Sequence, residues 1–191
     1  MKRYILAITG ASGVLVGFRV LEELTKNFDV TLIVSEASLK VIRLETNFKF
    51  KDFEDFKNQF YTQNLKIYHE SQIDAPPASG SYKTDGMFIV PCSIKTLSKI
   101  AYGFADNLIT RTADVAIKEN RRLIIAPREM PLSAIHLENM LKLAKLGVVI
   151  TPLTLSFYHK PKTIEDLINF VVGKILDCMG IENDLYKRWG Q

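Results

Sequence analysis

The chain has 191 residues, of which 47% are hydrophobic and 24% charged, and its 25 basic and 21 acidic side chains give a net charge of +4. These values suit a single globular domain over residues 1–191, and the mild charge lacks the dense Lys/Arg blocks of nucleic-acid-binding proteins. Apolar runs stop short of the roughly 18 residues that a membrane span needs, and the two cysteines lack zinc or CxxC spacing. We therefore expect a cytoplasmic protein with no membrane span and no metal.

The first stretch joins a short strand to a glycine-rich turn. Residues 4–8 are apolar, residues 9–13 are small, and helical spacing covers residues 13–27. The free N–H groups and positive dipole end of such a helix favour a phosphate. Ser12 stands where the dinucleotide fingerprint has its second glycine, so the motif is not that fingerprint. A tight turn that binds nothing is the alternative.

The second predicted strand, residues 29–35, ends in Ser35 and leads into a helix over residues 37–44. Glu45 follows that helix, and taken by itself it is predicted to be a solvated acid at a helix end. Four phenylalanines then recur at helix-like spacing and indicate a core-facing stripe. They are Phe50, Phe53, Phe56 and Phe60.

Residues 71–86 cannot form regular structure throughout, because Pro76 and Pro77 remove backbone donors and Gly80 permits unusual dihedral angles. A short edge strand over residues 65–68 precedes this loop. Loops of such length in a compact domain are either functional or disordered. A substrate loop and a plain connector both stay open.

The next predicted strand, residues 87–92, is followed by Ser93 as the cap of a helix with Lys95 and Thr96 in its first turn. A lysine there opposes the helix dipole, which points to an anion nearby, with a solvent-facing lysine as the alternative. Arg111, ahead of a helix predicted over residues 113–119, repeats the pattern.

Two charged residues, Arg128 and Glu129, follow the predicted strand at residues 123–127. Ligands of open α/β sheets gather beyond the carboxyl ends of strands, so this pair lies in a favoured place, although a surface ion pair is the alternative. A helix over residues 133–146 and a strand over residues 148–152 follow.

The chain closes with a loop, a helix and a polar tail. The loop at residues 153–162 carries Phe157-Tyr158-His159, and Thr163 caps a helix whose apolar stripe is predicted to include Lys174. The tail, residues 181–191, could wrap a neighbour or close a site. Five parallel strands with flanking helices predict a doubly wound α/β sheet.

Taken together, the motifs resemble the UbiX-type flavin prenyltransferases. Matching segments span nearly the whole chain in the expected order, which makes the set far more specific than any single motif. They are Thr9-Gly10-Ala11-Ser12-Gly13, Leu44-Glu45-Thr46, the segment 76–81, Pro91-Cys92-Ser93-Ile94-Lys95-Thr96-Leu97, the segment 111–119, Pro127-Arg128-Glu129, the segment 136–140, Phe157-Tyr158-His159 and Arg188-Trp189.

The resemblance implies a Rossmann-like fold that holds FMN and a prenyl phosphate. The positions matching FMN contacts are Gly10, Ala11, Ser12, Ser35, Ser93, Ile94, Lys95, Thr96 and Arg111. The positions matching prenyl-phosphate contacts are Lys118, Arg128, Tyr158 and Lys174, with Trp189 near the prenyl group. The catalytic set implied for phosphate departure and proton handling is Ser12, Glu45, Lys118, Arg128 and Glu129.

The implied reaction joins dimethylallyl phosphate to N5 and C6 of reduced FMN, without a metal, and passes the product to a UbiD-type decarboxylase. The family commonly forms dodecamers with interfacial sites, which we expect here. Two positions depart from the family pattern. Lys174 stands where arginine is common and loses the bidentate fork, and Val14-Leu15-Val16 replaces Ala-x-Tyr.

Three other functions compete with this interpretation. An FMN-dependent cysteine decarboxylase of the related fold explains the glycine-rich turn but leaves many cations and acids without a role. A non-catalytic FMN carrier would need Ser12, Arg111 and the helix starts, and would leave Lys118 and Glu129 unexplained. A nicotinamide dehydrogenase comes last, because the fingerprint is missing.

Overall fold

The apolar runs form six parallel strands in the computed structural model, which describes residues 1–60, 62–188 and 190. The strands are β1 Arg3–Ile8, β2 Asp29–Val34, β3 Leu65–His69, β4 Gly86–Cys92, β5 Leu123–Pro127 and β6 Val149–Ile150. They pair in the order β3-β2-β1-β4-β5-β6, so the winding reverses between β1 and β4. The doubly wound fold class is confirmed, and the short edge strand at β3 adds a sixth strand to the five expected.

Seven α-helices in the described chain cover the two faces of the sheet. They are α1 Val14–Asn27, α2 Glu36–Glu45, α3 Phe53–Lys57, α4 Ile94–Ala101, α5 Leu108–Lys118, α6 Ala134–Lys145 and α7 Ile164–Met179. One core lies under α1, α2, α3 and α7, and the other under α4, α5 and α6. Successive strand residues alternate between the two cores because side chains alternate along a strand.

Most predicted helix starts hold, but α5 begins five residues before the predicted helix. Asn107 caps it, and its side chain accepts a hydrogen bond from the Thr110 N–H at 2.9 Å. In return, the Thr110 hydroxyl accepts from the Asn107 N–H at 3.3 Å. This capping box offsets the weak helix propensity of Thr110 and Thr112. Arg111 therefore lies in the first turns of α5 and not ahead of it.

The phenylalanine segment packs into the core as predicted, although only α3 within it is helical. Phe50 and Phe56 are buried, their ring centroids lie 5.1 Å apart, and Phe60 lies 5.1 Å from Phe56. Phe18 of α1 stacks on Phe60, so these rings fasten α3 to α1.

The prediction that Lys174 lies on the apolar stripe of α7 is wrong, and α6 exposes several of its apolar side chains. On α6, Met140 and Leu143 are buried, whereas Ile135, Leu137 and Leu141 are 66%, 52% and 56% exposed. On α7, Lys174 is exposed and lies off the buried stripe. No helix in the described ranges is both long and apolar enough to cross a bilayer.

Candidate functional site

Thr9 joins the two loops that leave the sheet where its winding reverses. Its hydroxyl donates to the Pro91 carbonyl at 3.0 Å and accepts from the Ser93 N–H at 2.7 Å, and the residue is 1% exposed. The loops after β1 and β4 are therefore joined at the carboxyl ends of the strands. We call this side of the sheet the carboxyl edge. Sequence reasoning gave Thr9 no role of its own, although its place inside the glycine-rich motif was a signal.

Glu45 occupies the start of α1. One carboxylate oxygen, Oε2, accepts from the backbone N–H groups of Gly13 at 2.9 Å and Val14 at 3.1 Å. Gly13 has no side chain with which to cap the helix, so Glu45 supplies the cap from α2. The prediction of a solvated helix-end acid is wrong, because this carboxylate is paired. The α1 start, which was predicted to favour a phosphate, holds a carboxylate of the chain itself, and phosphate binding there stays a prediction.

Two further helix starts at this edge carry hydroxyls. Ser35 is buried and its Oγ accepts from the Ser38 N–H at 2.9 Å at the start of α2. Ser93 Oγ accepts from the Thr96 N–H at 3.3 Å and lies 3.0 Å from the Thr96 hydroxyl at the start of α4. Ser35, Ser93 and Thr96 are among the residues predicted to hold FMN, and Lys95 is exposed in the first turn of α4.

Gly10 permits a close approach of α2 to the β1 loop. A Cβ added at Gly10 would overlap the Cβ of Ala37, a rigid atom in the first turn of α2. Glycine is therefore required here for packing, whether or not a ligand also approaches it. Ser12, two residues on, is exposed.

Arg111 and Glu70 complete the edge. The Arg111 guanidinium donates from Nε to the Ala78 carbonyl at 3.0 Å and from Nη1 to Asp114 at 2.8 Å, which anchors the 71–86 loop on α5. Glu70, directly after β3, accepts from the Glu36 N–H at 2.8 Å and from the Asn107 amide at 2.6 Å. Glu70 thus ties the starts of α2 and α5. Sequence reasoning missed it, although it follows a strand just as Arg128 does.

This edge fits a flavin nucleotide by its donor set. Serine and threonine hydroxyls, a helix start and a guanidinium suit a phosphate and the polar rim of a flavin. Cys92 is not a candidate nucleophile, because burial raises the pKa of its thiol far above the usual range. Among the described residues, no group of His, Cys, Asp and Glu could hold a metal ion.

Arg128 and Glu129 lie at the same edge. The Arg128 N–H donates to the Cys92 carbonyl at 3.2 Å, which holds this loop beside Ser93. Both side chains are exposed, and Glu129 Oε1 accepts from the Met130 N–H at 3.0 Å. The alternative of an ion pair between neighbours finds no support in these contacts.

Tyr158 packs on α7, the helix that carries Lys174. The Tyr158 ring lies 5.7 Å from Phe170, edge to face, and Lys174 comes one helical turn after Phe170. The structure therefore places Tyr158 against the helix of Lys174, and their joint role in holding the prenyl phosphate stays a prediction. Trp189, predicted near the prenyl group, lies outside the described residues.

Lys118 does not join them within the protomer. It ends α5, about 10 Å further along the helix axis than Arg111, and its ammonium lies 3.3 Å from Glu119. Moreover, α5 and α7 pack on opposite faces of the sheet. The predicted cation set is thus divided between separate parts of the protomer, and its convergence stays a prediction.

A doubly wound parallel sheet with polar helix starts at its winding reversal defines a nucleotide-binding α/β protein. The sequence profile of the flavoprotein family matches residues 1–176. The flavin prenyltransferase UbiX of Methanocaldococcus jannaschii is 48% identical over 188 residues, which cover 98% of each chain. The chain belongs to the flavoprotein family and, within it, to the UbiX flavin prenyltransferases.

Two solved structures agree with this assignment. AnUbiX (PadA1) in complex with FMN and dimethylallyl pyrophosphate superposes with a TM-score of 0.90 at 40% identity, covering 100% of this chain and 98% of that one. A dodecameric FMN-dependent UbiX-like decarboxylase from Escherichia coli O157:H7 also superposes at 0.90, with 38% identity over 99% and 100% of the two chains. The resemblance inferred from the motifs is confirmed, as are the prenyltransferase class and the flavin cofactor.

Proposed function

We propose that the chain transfers a dimethylallyl group from dimethylallyl phosphate to reduced FMN and releases inorganic phosphate. The observation that supports this best is the carboxyl edge, where Glu45, Arg128 and Glu129 accompany the hydroxyl-lined helix starts. An FMN carrier would not need those acids. The prenylated flavin would then serve a UbiD-type decarboxylase in the cytoplasm.

Each group in the proposed site has one role in allylic C–O cleavage or in the proton transfer that accompanies it. Negative charge grows on the leaving phosphate, which Arg128, Lys118 and Lys174 stabilise. Positive charge grows on the allyl fragment, which the exposed ring of Tyr158 stabilises by about 1–2 kcal/mol when water is excluded. Reduced FMN, when bound, supplies the nucleophilic N5 and C6 positions. Glu129 would take up the proton released from C6, and Ser12 and Glu45 would assist phosphate departure.

The proposed reaction has a direct test by mass. Protein, reduced FMN and dimethylallyl phosphate, mixed without oxygen, are expected to yield a heavier flavin and an equal amount of inorganic phosphate. Mass spectrometry of the extracted flavin and a phosphate assay measure both, with boiled protein as the control. Dimethylallyl pyrophosphate in a parallel reaction decides the preferred donor. Unchanged FMN with both donors would contradict the proposal and favour the carrier.

The divided cation set supports an assembly with interfacial sites. Lys118 and Lys174 lie on helices that cover opposite faces of the sheet, and we propose that one site collects both from different copies. The exposed apolar side chains of Leu137 and Leu141, one turn apart on one face of α6, offer a surface for that contact. We propose a homo-oligomer, and specifically a dodecamer.

Leu137→Glu is expected to break this assembly. A charge buried in an apolar contact costs several kcal/mol, whereas on an exposed face of one protomer it costs little. Light scattering after size exclusion should show smaller species, with helical circular dichroism unchanged and turnover lost. Ile164→Glu, the same kind of change at the exposed first residue of α7, is the matched control. An intact dodecamer in Leu137→Glu would place the contact elsewhere.

A further inference from the structure

The chain after α7 turns back and is clamped onto that helix by Asp177. We call residues 181–188 the C-terminal strap. Arg188 donates to both carboxylate oxygens of Asp177, Nη2 to Oδ1 and Nη1 to Oδ2, each at 2.9 Å. The Tyr186 hydroxyl donates to Oδ2 at 2.6 Å, and the Asn183 amide donates to Oδ1 at 2.9 Å. One carboxylate therefore gathers three strap side chains.

The charge state of this clamp is well defined. Burial alone would raise the pKa of Asp177, but hydrogen bonds from Arg188 and Tyr186 hold it below its usual range. Burial, together with the bond to Asp177, raises the pKa of Tyr186 to about 12. At neutral pH the clamp thus consists of a carboxylate, a guanidinium and a protonated phenol.

The strap fits a gap in α7 that only glycine leaves open. A Cβ added at Gly173 would overlap Cδ1 of Tyr186 and come within 2.8 Å of Asn183 Oδ1. The Asn183 amide also donates to the Gly173 carbonyl at 3.2 Å. A glycine in a helix interior weakens the helix, so its presence here serves the docked strap.

Phe170 lies between the C-terminal strap and the 153–162 loop and contacts both. The Tyr186 ring lies 5.1 Å from Phe170 on the strap side. On the loop side, His159 stacks on Phe170 at 5.0 Å with the planes 8° apart, and Tyr158 meets it edge to face. Both ring nitrogens of His159 and the Ser156 hydroxyl are buried without a hydrogen-bond partner in the part of the chain described. These rings therefore help to hold the loop on α7, together with the hydrogen bond from the Lys162 N–H to Asp166 Oδ2 at 2.8 Å.

We propose that Asp177 is a positioning residue for the prenyl-phosphate end of the site. By clamping Arg188 and Tyr186 it fixes the Phe170 ring, and Phe170 holds Tyr158 against α7, the helix of Lys174. This inference rests on the proposed function, in which Tyr158 and Lys174 bind the phosphate. Asp177 itself touches no substrate, and its effect is on the placement of Tyr158.

Two variants test the clamp on the full-length protein. Asp177→Asn removes the charge that gathers the strap, and Gly173→Ala blocks the seat of Tyr186 while favouring the helix. Both should raise the KM for dimethylallyl phosphate about tenfold, with FMN affinity unchanged and kcat altered less. Hydrogen exchange should rise in residues 153–162 and 181–188. Asp184→Asn, which neutralises an exposed acid of the same strap, is the matched control.

The readouts separate this inference from the proposed function. A melting temperature for Gly173→Ala at or above that of the wild type, with a raised KM, excludes general unfolding as the cause. If the wild type makes no heavier flavin, the proposed function fails, and the clamp is then tested by hydrogen exchange alone. Greater exchange in residues 153–162 for both variants then supports the clamp. Unchanged exchange in that loop, or an unchanged KM in an active enzyme, overturns it.

Discussion

Glu129→Gln is expected to lower kcat by about 10²- to 10⁴-fold, the usual contribution of a positioned acid–base group, while FMN affinity stays unchanged. The carboxylate lies exposed beyond the carboxyl end of β5, and Oε1 accepts only a local bond from the Met130 N–H in the contacts described. A glutamine oxygen can accept that bond equally well, so the loop should keep its shape. What the amide cannot do is take up a proton.

Single-turnover mass spectrometry of the flavin and fluorescence titration with FMN measure the two quantities. Glu22→Gln, an exposed acid in the second half of α1, carries the same chemical change away from the carboxyl edge and should turn over normally. Wild-type turnover in Glu129→Gln would remove the base role from this residue. Loss of FMN binding would instead show that Glu129 shapes the flavin site.

Most of the fold could be predicted from sequence signals that act over a few residues. The apolar run before the glycine-rich turn, the Ser93 cap and the Thr163 cap each act within a few residues, and each is found where expected. The start of α5 was missed although its capping box is just as local. Its β-branched residues favour a strand by propensity, and the cap outweighs that preference.

Long-range pairings in the site could not be predicted from the residues alone. Glu45 pairs with Gly13 across 32 residues and Glu70 pairs with Asn107 across 37, and no spacing rule connects either pair. A side chain finds such a partner only after the sheet order places the loops together. The same limit applies to Lys118, whose place in a site depends on contacts between copies.

Glu45 has two roles that can be tested separately. Its carboxylate caps α1, and it also lies at the proposed site. Glu45→Ala removes the cap and is expected to lower the free energy of unfolding by about 1–2 kcal/mol. Glu45→Gln keeps an acceptor for the Gly13 and Val14 N–H groups and loses only the charge, worth about 0.3–1 kcal/mol near a helix start. Urea unfolding measures both values.

The two Glu45 variants should differ in stability but not in turnover. If Glu45 handles charge or protons during phosphate departure, Glu45→Gln and Glu45→Ala should both lose at least about 10²-fold in kcat, despite their unequal stability. Asp52→Ala is the matched control, because Asp52 caps α3 by accepting from the Asp55 N–H at 2.9 Å. That variant should lose a similar cap energy and keep its turnover. Full activity in Glu45→Gln, with loss only in Glu45→Ala, would reduce Glu45 to a helix cap, and the departing phosphate would then depend on the cations and Ser12.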